Sequence, residues 1–154
     1  MTPHAFTALI KPVTDLLAGQ SVDKALENQL NEALPAGSSA FQAIEQACHD
    51  AIDAGWMCTE GEGTRRFGRV LEPSPETRDF SVDVVDMTDL RGGHHKHPAG
   101  EVLMIMPQDD GAQFDRCGKG WLVYAPGTAH RPTVRHGRAL VLYLLPGGQI
   151  EWTA

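Results

Sequence analysis

Apolar residues in the first third of the chain recur every three or four positions, which is the spacing of one helical face. The positions that predict the first helix are Phe6, Leu9, Ile10, Val13, Leu16 and Leu17. Pro12 lies inside this pattern and predicts either a kink or a helix that starts near Lys11. A second amphipathic stretch follows Ser21, a favourable N-cap residue, and ends at Pro35-Ala36-Gly37.

A third helix is predicted from Ser39, because Gln42 follows it at capping-box spacing. Gly55 is expected to end this helix. After Trp56 the pattern changes to the alternation typical of strands, first at residues 80–84. Further short apolar runs, separated by Gly and Pro clusters, lie at 102–106, 121–124 and 140–145.

Many short strands with turn signals between them are typical of a β-sandwich or a β-barrel. In the run at 140–145 both alternating faces are apolar, so a strand there is buried on both sides. We therefore expect the N-terminal helices or a second subunit to cover the outer face, and we expect a homodimer.

Composition narrows the class of protein. The 154 residues carry 13 Lys and Arg against 20 Asp and Glu, a net charge of −7, so we expect neither a nucleic-acid nor an anionic-membrane partner. Three scattered cysteines provide no disulfide framework. The N-terminus lacks the pattern of a secretion signal, and we expect a cytoplasmic protein.

Four residues have the spacing of a metal site. His95 and His97 are two positions apart, so on a strand both imidazoles point to the same side. Glu101 follows the turn Pro98-Ala99-Gly100, and His130 comes 29 residues later. Three imidazoles and a carboxylate suit one divalent transition metal, and the sequence leaves Fe, Mn, Zn, Ni and Cu open.

The same residues resemble the two motifs of the cupin superfamily. The first motif is His95-x-His97, three residues, then Glu101, and the second is Gly120, five residues, Pro126, then Gly127-x-x-His130. The resemblance implies a mainly β fold, a single jelly-roll-like cupin barrel over residues 56–154. Residues 1–55 would then form a segment of about three helices packed on the barrel or on a partner.

A narrower resemblance runs over residues 55–152 and includes Gly93-His94-His95-Lys96-His97-Pro98 and Ala129-His130-Arg131-Pro132-Thr133-Val134. These segments are similar to the bacterial 4-hydroxylaminobenzoate lyases. The resemblance implies a small aromatic substrate and the conversion of 4-hydroxylaminobenzoate and water to 3,4-dihydroxybenzoate (protocatechuate) and ammonia, in nitroaromatic degradation. The alternatives are a metal-dependent cupin dioxygenase acting on an aromatic or thiol substrate and a non-catalytic ligand-binding cupin.

For this chemistry we expect Glu101, as metal ligand or as acid and base, and Tyr143 to be catalytic residues. Trp121 and Tyr124 are candidates to stack on the substrate ring, with ordinary packing as the alternative for each. Arg131 is the chosen candidate to bind the benzoate carboxylate, since a guanidinium forms two parallel hydrogen bonds with it. The other arginines considered for this role are Arg65, Arg66, Arg69, Arg78 and Arg91.

Overall fold

Three helices begin the chain in a computed structural model that describes residues 1–153. They are α1 Pro3–Leu17, α2 Lys24–Ala33 and α3 Ser39–Ala54, which confirms the predicted helical segment. α1 runs through Pro12 without a break, so a start near Lys11 is wrong. Pro3 lies in the first turn, where the backbone N–H that proline lacks has no helical partner in any case.

The N-cap residues of α2 and α3 are not the ones that the sequence predicted. Asp23, rather than Ser21, caps α2, and its carboxylate accepts a hydrogen bond from a backbone N–H three residues on. Ser38 caps α3, one residue before the predicted Ser39. Gly55 ends α3 as predicted, at a φ of +85° that a residue with a Cβ rarely adopts.

Ten antiparallel strands follow within residues 60–152 and form two sheets. They are β1 Glu60–Glu62, β2 Arg65–Leu71, β3 Phe80–Arg91, β4 His95–His97, β5 Glu101–Pro107, β6 Gln113–Phe114, β7 Gly120–Tyr124, β8 Thr128–His130, β9 Thr133–Pro146 and β10 Glu151–Trp152. The large sheet has the order β1-β2-β3-β9-β5-β7, with β6 paired to β9, and the small sheet has the order β10-β4-β8. The mainly β, jelly-roll-like class is confirmed. No helix within residues 1–153 has the length and apolar character needed to cross a bilayer.

The three helices cover one face of the large sheet. Phe41 of α3, which is fully buried, meets Trp121 of β7 edge to face with the ring centroids 5.9 Å apart. α2 also satisfies the backbone of β7, an edge strand: Asn31 exchanges two hydrogen bonds with Trp121, and Glu27 accepts one from the N–H of Val123. Side-chain pairing of this kind protects the free edge of a sheet.

The opposite face of the large sheet looks toward the small sheet. Its apolar cluster consists of Met87, Leu103, Ile105, Phe114, Val134, Ala139 and Val141. A cavity lies beside this cluster and is lined by residues of both sheets, among them Leu103 of β5 and His95 of β4. Burial on both faces therefore has two separate causes, helices on one side and the second sheet on the other.

The division of the chain at residue 55 stays a prediction, and truncation tests it. A fragment of residues 56–154 exposes the apolar face that now packs against Phe6, Phe41 and their neighbours, so we expect it to aggregate. Light scattering and circular dichroism, with the full chain as control, measure this. A monodisperse, folded fragment would mean that the helices are dispensable for the β fold.

Candidate metal centre

Two short strands of the small sheet bring the three histidines together. β4 pairs with β8 in a register that sets His95 opposite His130 and His97 opposite Thr128. Because side chains two apart on a strand point to the same side, His95 and His97 both face inward, while Lys96 between them is exposed. The ring centroids of all three histidines lie within 4.8 Å of one another.

Glu101 reaches the cluster from the other sheet, as the first residue of β5. The turn between the two sheets requires Gly100, whose φ is +90° and whose N–H donates to the carbonyl of His97. A Cβ at this position would lie 2.7 Å from the side chain of Val22 and 2.9 Å from the carbonyl oxygen of Tyr124, closer than packed atoms allow. The turn therefore fixes the carboxylate relative to the imidazoles.

The four side chains converge on one point. Nε2 of His97 lies 3.1 Å from Oε2 of Glu101, and Nε2 of His95 lies 3.7 Å from the same oxygen. Nε2 of His130 lies 3.7 Å from Oε1 of Glu101 and 3.1 Å from Nε2 of His95. One ligand atom from each residue falls within 4.8 Å of the other three. His95, His97 and Glu101 are buried, and His130 is nearly so.

This geometry fits a single metal ion. Two ligand atoms about 2.1 Å from an ion lie ~3.0 Å apart at right angles and ~3.4 Å apart in a tetrahedron, close to the separations observed here. Nε2 of His97 is completely buried and forms no hydrogen bond, although Oε2 of Glu101, itself an acceptor, lies 3.1 Å away. A buried nitrogen in that state costs free energy unless a metal or a proton partner satisfies it. The cluster can therefore bind a divalent cation.

Hydrogen bonds behind two of the imidazoles fix which nitrogen faces the cluster. Nδ1 of His97 lies 3.1 Å from the Thr128 hydroxyl, which itself donates to the carbonyl of Ala125, so Nδ1 carries the proton. Nδ1 of His130 lies 2.5 Å from Oδ2 of Asp115. Both arrangements leave Nε2 free to accept a metal, as outer partners of ligating histidines commonly do.

Neighbouring groups lower the pKa values of both carboxyl groups in the centre. Burial by itself raises the pKa of a carboxyl group, but the imidazoles of His95 and His97 hold the pKa of Glu101 below its ordinary value. Asp115 is also partly buried, and hydrogen bonds from His130 and Tyr124 hold its pKa below the ordinary value. Both groups are thus carboxylates at neutral pH, the form that binds a cation or an imidazole N–H.

The two tyrosines predicted to act in the site take different positions. Tyr124 lies behind the cluster, stacked on His97 at 5.5 Å between ring centroids, and its hydroxyl donates to Asp115 at 2.6 Å. It holds imidazoles in place and does not line the cavity. Tyr143 lines the cavity together with Glu101. Burial, followed by the nearby charges of Asp83 and Glu101, raises the pKa of Tyr143, so its hydroxyl keeps its proton.

Two of the predicted substrate-binding residues lie outside the cavity. Trp121 points to the helix-covered face, where its indole N–H donates to the carbonyl of Leu34 at 2.8 Å. The prediction that Trp121 stacks on the substrate ring is therefore wrong. Both faces of β7 are apolar, so the sequence does not indicate which face turns toward the cavity. Arg131 is exposed in the link between β8 and β9 and is not among the residues that line the cavity.

Two residues with a place in the site were missed, Asp115 and Trp152, and a third, Arg65, was named only as one of several alternatives. Asp115 comes 15 positions before His130, at a turn whose φ of +48° aims its carboxylate at that histidine, and no local spacing marks such a pair. Trp152 pairs with His95 across β10 and β4, with ring centroids 5.1 Å apart, although 62% of it is exposed. Arg65, one of the five alternatives to Arg131 for binding the carboxylate, lines the cavity. The exposure of Trp152 is visible only in the structure, so no signal in the sequence marks it.

Sequence comparison identifies a family and two relatives of this chain. A family model described as PnbB: 4-hydroxylaminobenzoate lyase matches residues 8–152. A 4-hydroxylaminobenzoate lyase of Nocardioides sp. (strain LMS-CY) is 32% identical over 160 residues, which covers 98% of this chain and 95% of that protein. A protein of the same name from Pseudomonas putida is 33% identical over 145 residues and 82% of each chain.

Solved structures with a similar arrangement of strands include an RmlC-like cupin protein from Ralstonia eutropha. It has a TM-score of 0.46 and 9% identity, over 60% of this chain and 62% of the other. A Klebsiella pneumoniae protein with a double-stranded β-helix domain has a TM-score of 0.44 and 18% identity, over 61% and 83% of the two chains. Similarities of this size carry no functional inference. The match to the family model and the two relatives over most of their length establish that the chain belongs to the 4-hydroxylaminobenzoate lyase family.

Proposed function

We propose that this protein converts 4-hydroxylaminobenzoate and water to 3,4-dihydroxybenzoate and ammonia. The observation that carries the proposal is the convergence of three imidazoles and one carboxylate beside a largely apolar cavity, in a chain of this family. The cavity walls suit an aromatic ring, and the polar cluster lies where the reacting nitrogen and oxygen need charge stabilisation.

The proposal assigns His95, His97, Glu101 and His130 as ligands of one divalent transition metal. Mixed imidazole and carboxylate donors suit Fe, Mn, Zn, Ni or Cu. A metal held here would act as a Lewis acid on an oxygen atom and lower the pKa of bound water. The buried Nε2 of His97 supports this assignment: with the proton on Nδ1, this nitrogen and Oε2 of Glu101, 3.1 Å away, are both acceptors that a shared cation would satisfy.

The overall reaction is redox-neutral. Breaking the N–O bond sends its electron pair to oxygen, which leaves as water after protonation, and the ring becomes electron-poor. A water oxygen then bonds to the ring carbon next to the one that carries nitrogen. Hydrolysis of the resulting C=N bond consumes a second water and releases ammonia. One water is therefore consumed in total, and the N–O bond supplies the oxidising equivalents.

We assign the proton for the leaving oxygen to Tyr143. It lines the cavity with Glu101, and no hydrogen bond within residues 1–153 occupies its hydroxyl. Glu101, already ionised, serves as the carboxylate ligand in this assignment. In place of Trp121, Trp152 is the aromatic residue that contacts the substrate ring, since it lines the cavity next to His95.

A homodimer and a cytoplasmic location remain part of the proposal. The free thiols of Cys48, Cys58 and Cys117 support a reducing compartment. Sedimentation of the purified protein measures the first, and fractionation of the producing cells measures the second.

Metal analysis tests the four ligands. We expect about one equivalent of a transition metal per chain, and we expect His95→Ala, His97→Ala and His130→Ala each to lose most of it, because three donors hold an ion more weakly than four. The metal-loaded wild type should also melt at a higher temperature, since the ion binds only the folded state. His94→Ala and His4→Ala, outside the cluster, are the controls and should keep full occupancy. Unchanged metal in the three cluster variants would refute the assignment.

Tyr143→Phe separates proton donation from metal binding. It removes one hydroxyl and keeps the ring, so we expect kcat to fall by about 10²–10⁴-fold with metal content unchanged. Tyr124→Phe is the matched control: it removes a hydroxyl that contacts Asp115 and should affect kcat less. Equal, small effects of both changes would exclude Tyr143 as the donor.

Isotope labelling distinguishes the lyase from a dioxygenase, which would use the same four ligands. We expect undiminished turnover under strict anaerobiosis, ¹⁸O from labelled water in 3,4-dihydroxybenzoate, and one ammonia per product. These outcomes follow because water, and not O₂, provides the ring oxygen. A requirement for O₂, or label arriving from ¹⁸O₂, would replace the lyase with a dioxygenase.

A further inference from the structure

The arginines of the chain differ in whether their charge is already balanced. Arg69 contacts Asp83 at 3.2 Å, Arg138 contacts Asp86 at 2.8 Å, and Arg78 contacts Asp15. Arg65 takes part in no ion pair within residues 1–153. It is also the one arginine among the residues that line the cavity.

Strand register explains why Arg65 faces the cavity and Arg66 does not. Arg65 pairs with Met87, and Phe67 pairs with Val85, all on the face that looks toward the small sheet. Arg66 alternates to the opposite face, beside Asp86 of β3. The guanidinium of Arg65 lies over the ring of Phe67, 4.6 Å from its centroid. This contact restrains the side chain and leaves the N–H groups at its edge free to bind an anion.

The cavity thus carries two unlike groups on strands that are not neighbours. The three imidazoles lie on β4 and β8 of the small sheet and Glu101 on β5 of the large sheet. Arg65 belongs to β2, which β3 and β9 separate from β5. Apolar side chains such as Leu103, Met87 and Val141 line the space they share. A ligand that fills it therefore has an apolar middle, one end suited to the histidine cluster and one anionic end.

We propose that Arg65 is the specificity-determining residue that binds the carboxylate of the aromatic substrate. The inference rests on the proposed function and names the group that selects benzoates over neutral aryl hydroxylamines. Two parallel N–H to carboxylate hydrogen bonds hold the ring so that the nitrogen substituent para to it points to the cluster. Trp152, exposed at the cavity beside His95, packs against the ring.

A pair of substrates tests the assignment. Arg65→Met should lower kcat/KM for 4-hydroxylaminobenzoate by about 10–100-fold, mainly through KM, because a charged hydrogen bond is lost. The same variant should turn over N-phenylhydroxylamine, which has no carboxylate, within about threefold of the wild-type rate. Arg65→Lys should recover part of the loss, since it keeps the charge without the fork. Arg66→Met, on the other face of the same strand, is the matched control and should resemble the wild type.

Binding without turnover separates this inference from the reaction itself. Calorimetry with 4-aminobenzoate and with aniline on the metal-loaded wild type and Arg65→Met gives the carboxylate preference directly. Loss of that preference in the variant supports Arg65 even if no aryl hydroxylamine is converted, an outcome that would refute only the lyase reaction. Two outcomes would overturn the inference: Arg65→Met keeps the preference for the carboxylate, or it loses activity on both substrates equally. If the wild type still turns over 4-hydroxylaminobenzoate, the proposed function stands in either case.

Discussion

The buried contact between Glu101 and three imidazoles is the constraint on which the rest of the site depends. Taking a carboxylate out of water costs on the order of several kcal/mol unless hydrogen bonds and opposite charge compensate it. Glu101 is 2% exposed and ionised, so its neighbours must provide that compensation. They come from the small sheet, while Glu101 belongs to the large one, and the cluster therefore joins the two sheets.

Hydrogen bonds around the cluster fix the orientation of two of its three imidazoles, those of His97 and His130. The Thr128 hydroxyl and the Asp115 carboxylate each accept one Nδ1–H, and the stacked ring of Tyr124 limits rotation of His97. Asp115 also accepts a hydrogen bond from the N–H of Thr133 at 2.9 Å, which anchors the carboxylate to the start of β9. A site prepared in this way loses little conformational freedom when an ion or a substrate arrives.

The large sheet serves two different environments at once. Val82, Val84 and Leu142 pack against helices, and the alternate residues Val85 and Tyr143 face the second sheet and its cavity. Because side chains alternate strictly, the same strands stabilise the fold through one face and present chemical groups through the other. Because packing against the helices stabilises the sheet through one face, the face toward the cavity does not have to be apolar throughout. Polar residues such as Tyr143 and Arg65 are therefore tolerated there.

The sequence by itself determined the features that depend on short spacing. Three features could be predicted because residues a few positions apart, or a recognisable motif, encode them. They are the helical periodicity, the end of α3 at Gly55, and the metal-site quartet of His95, His97, Glu101 and His130. Tertiary structure alone decided what depends on long-range register. It placed Trp121 against the helices, brought Asp115 to His130, and put Arg65 and Trp152 at the cavity. The physical reason is that a strand with two apolar faces does not mark which one turns inward, so the direction is set by the elements that pack against it.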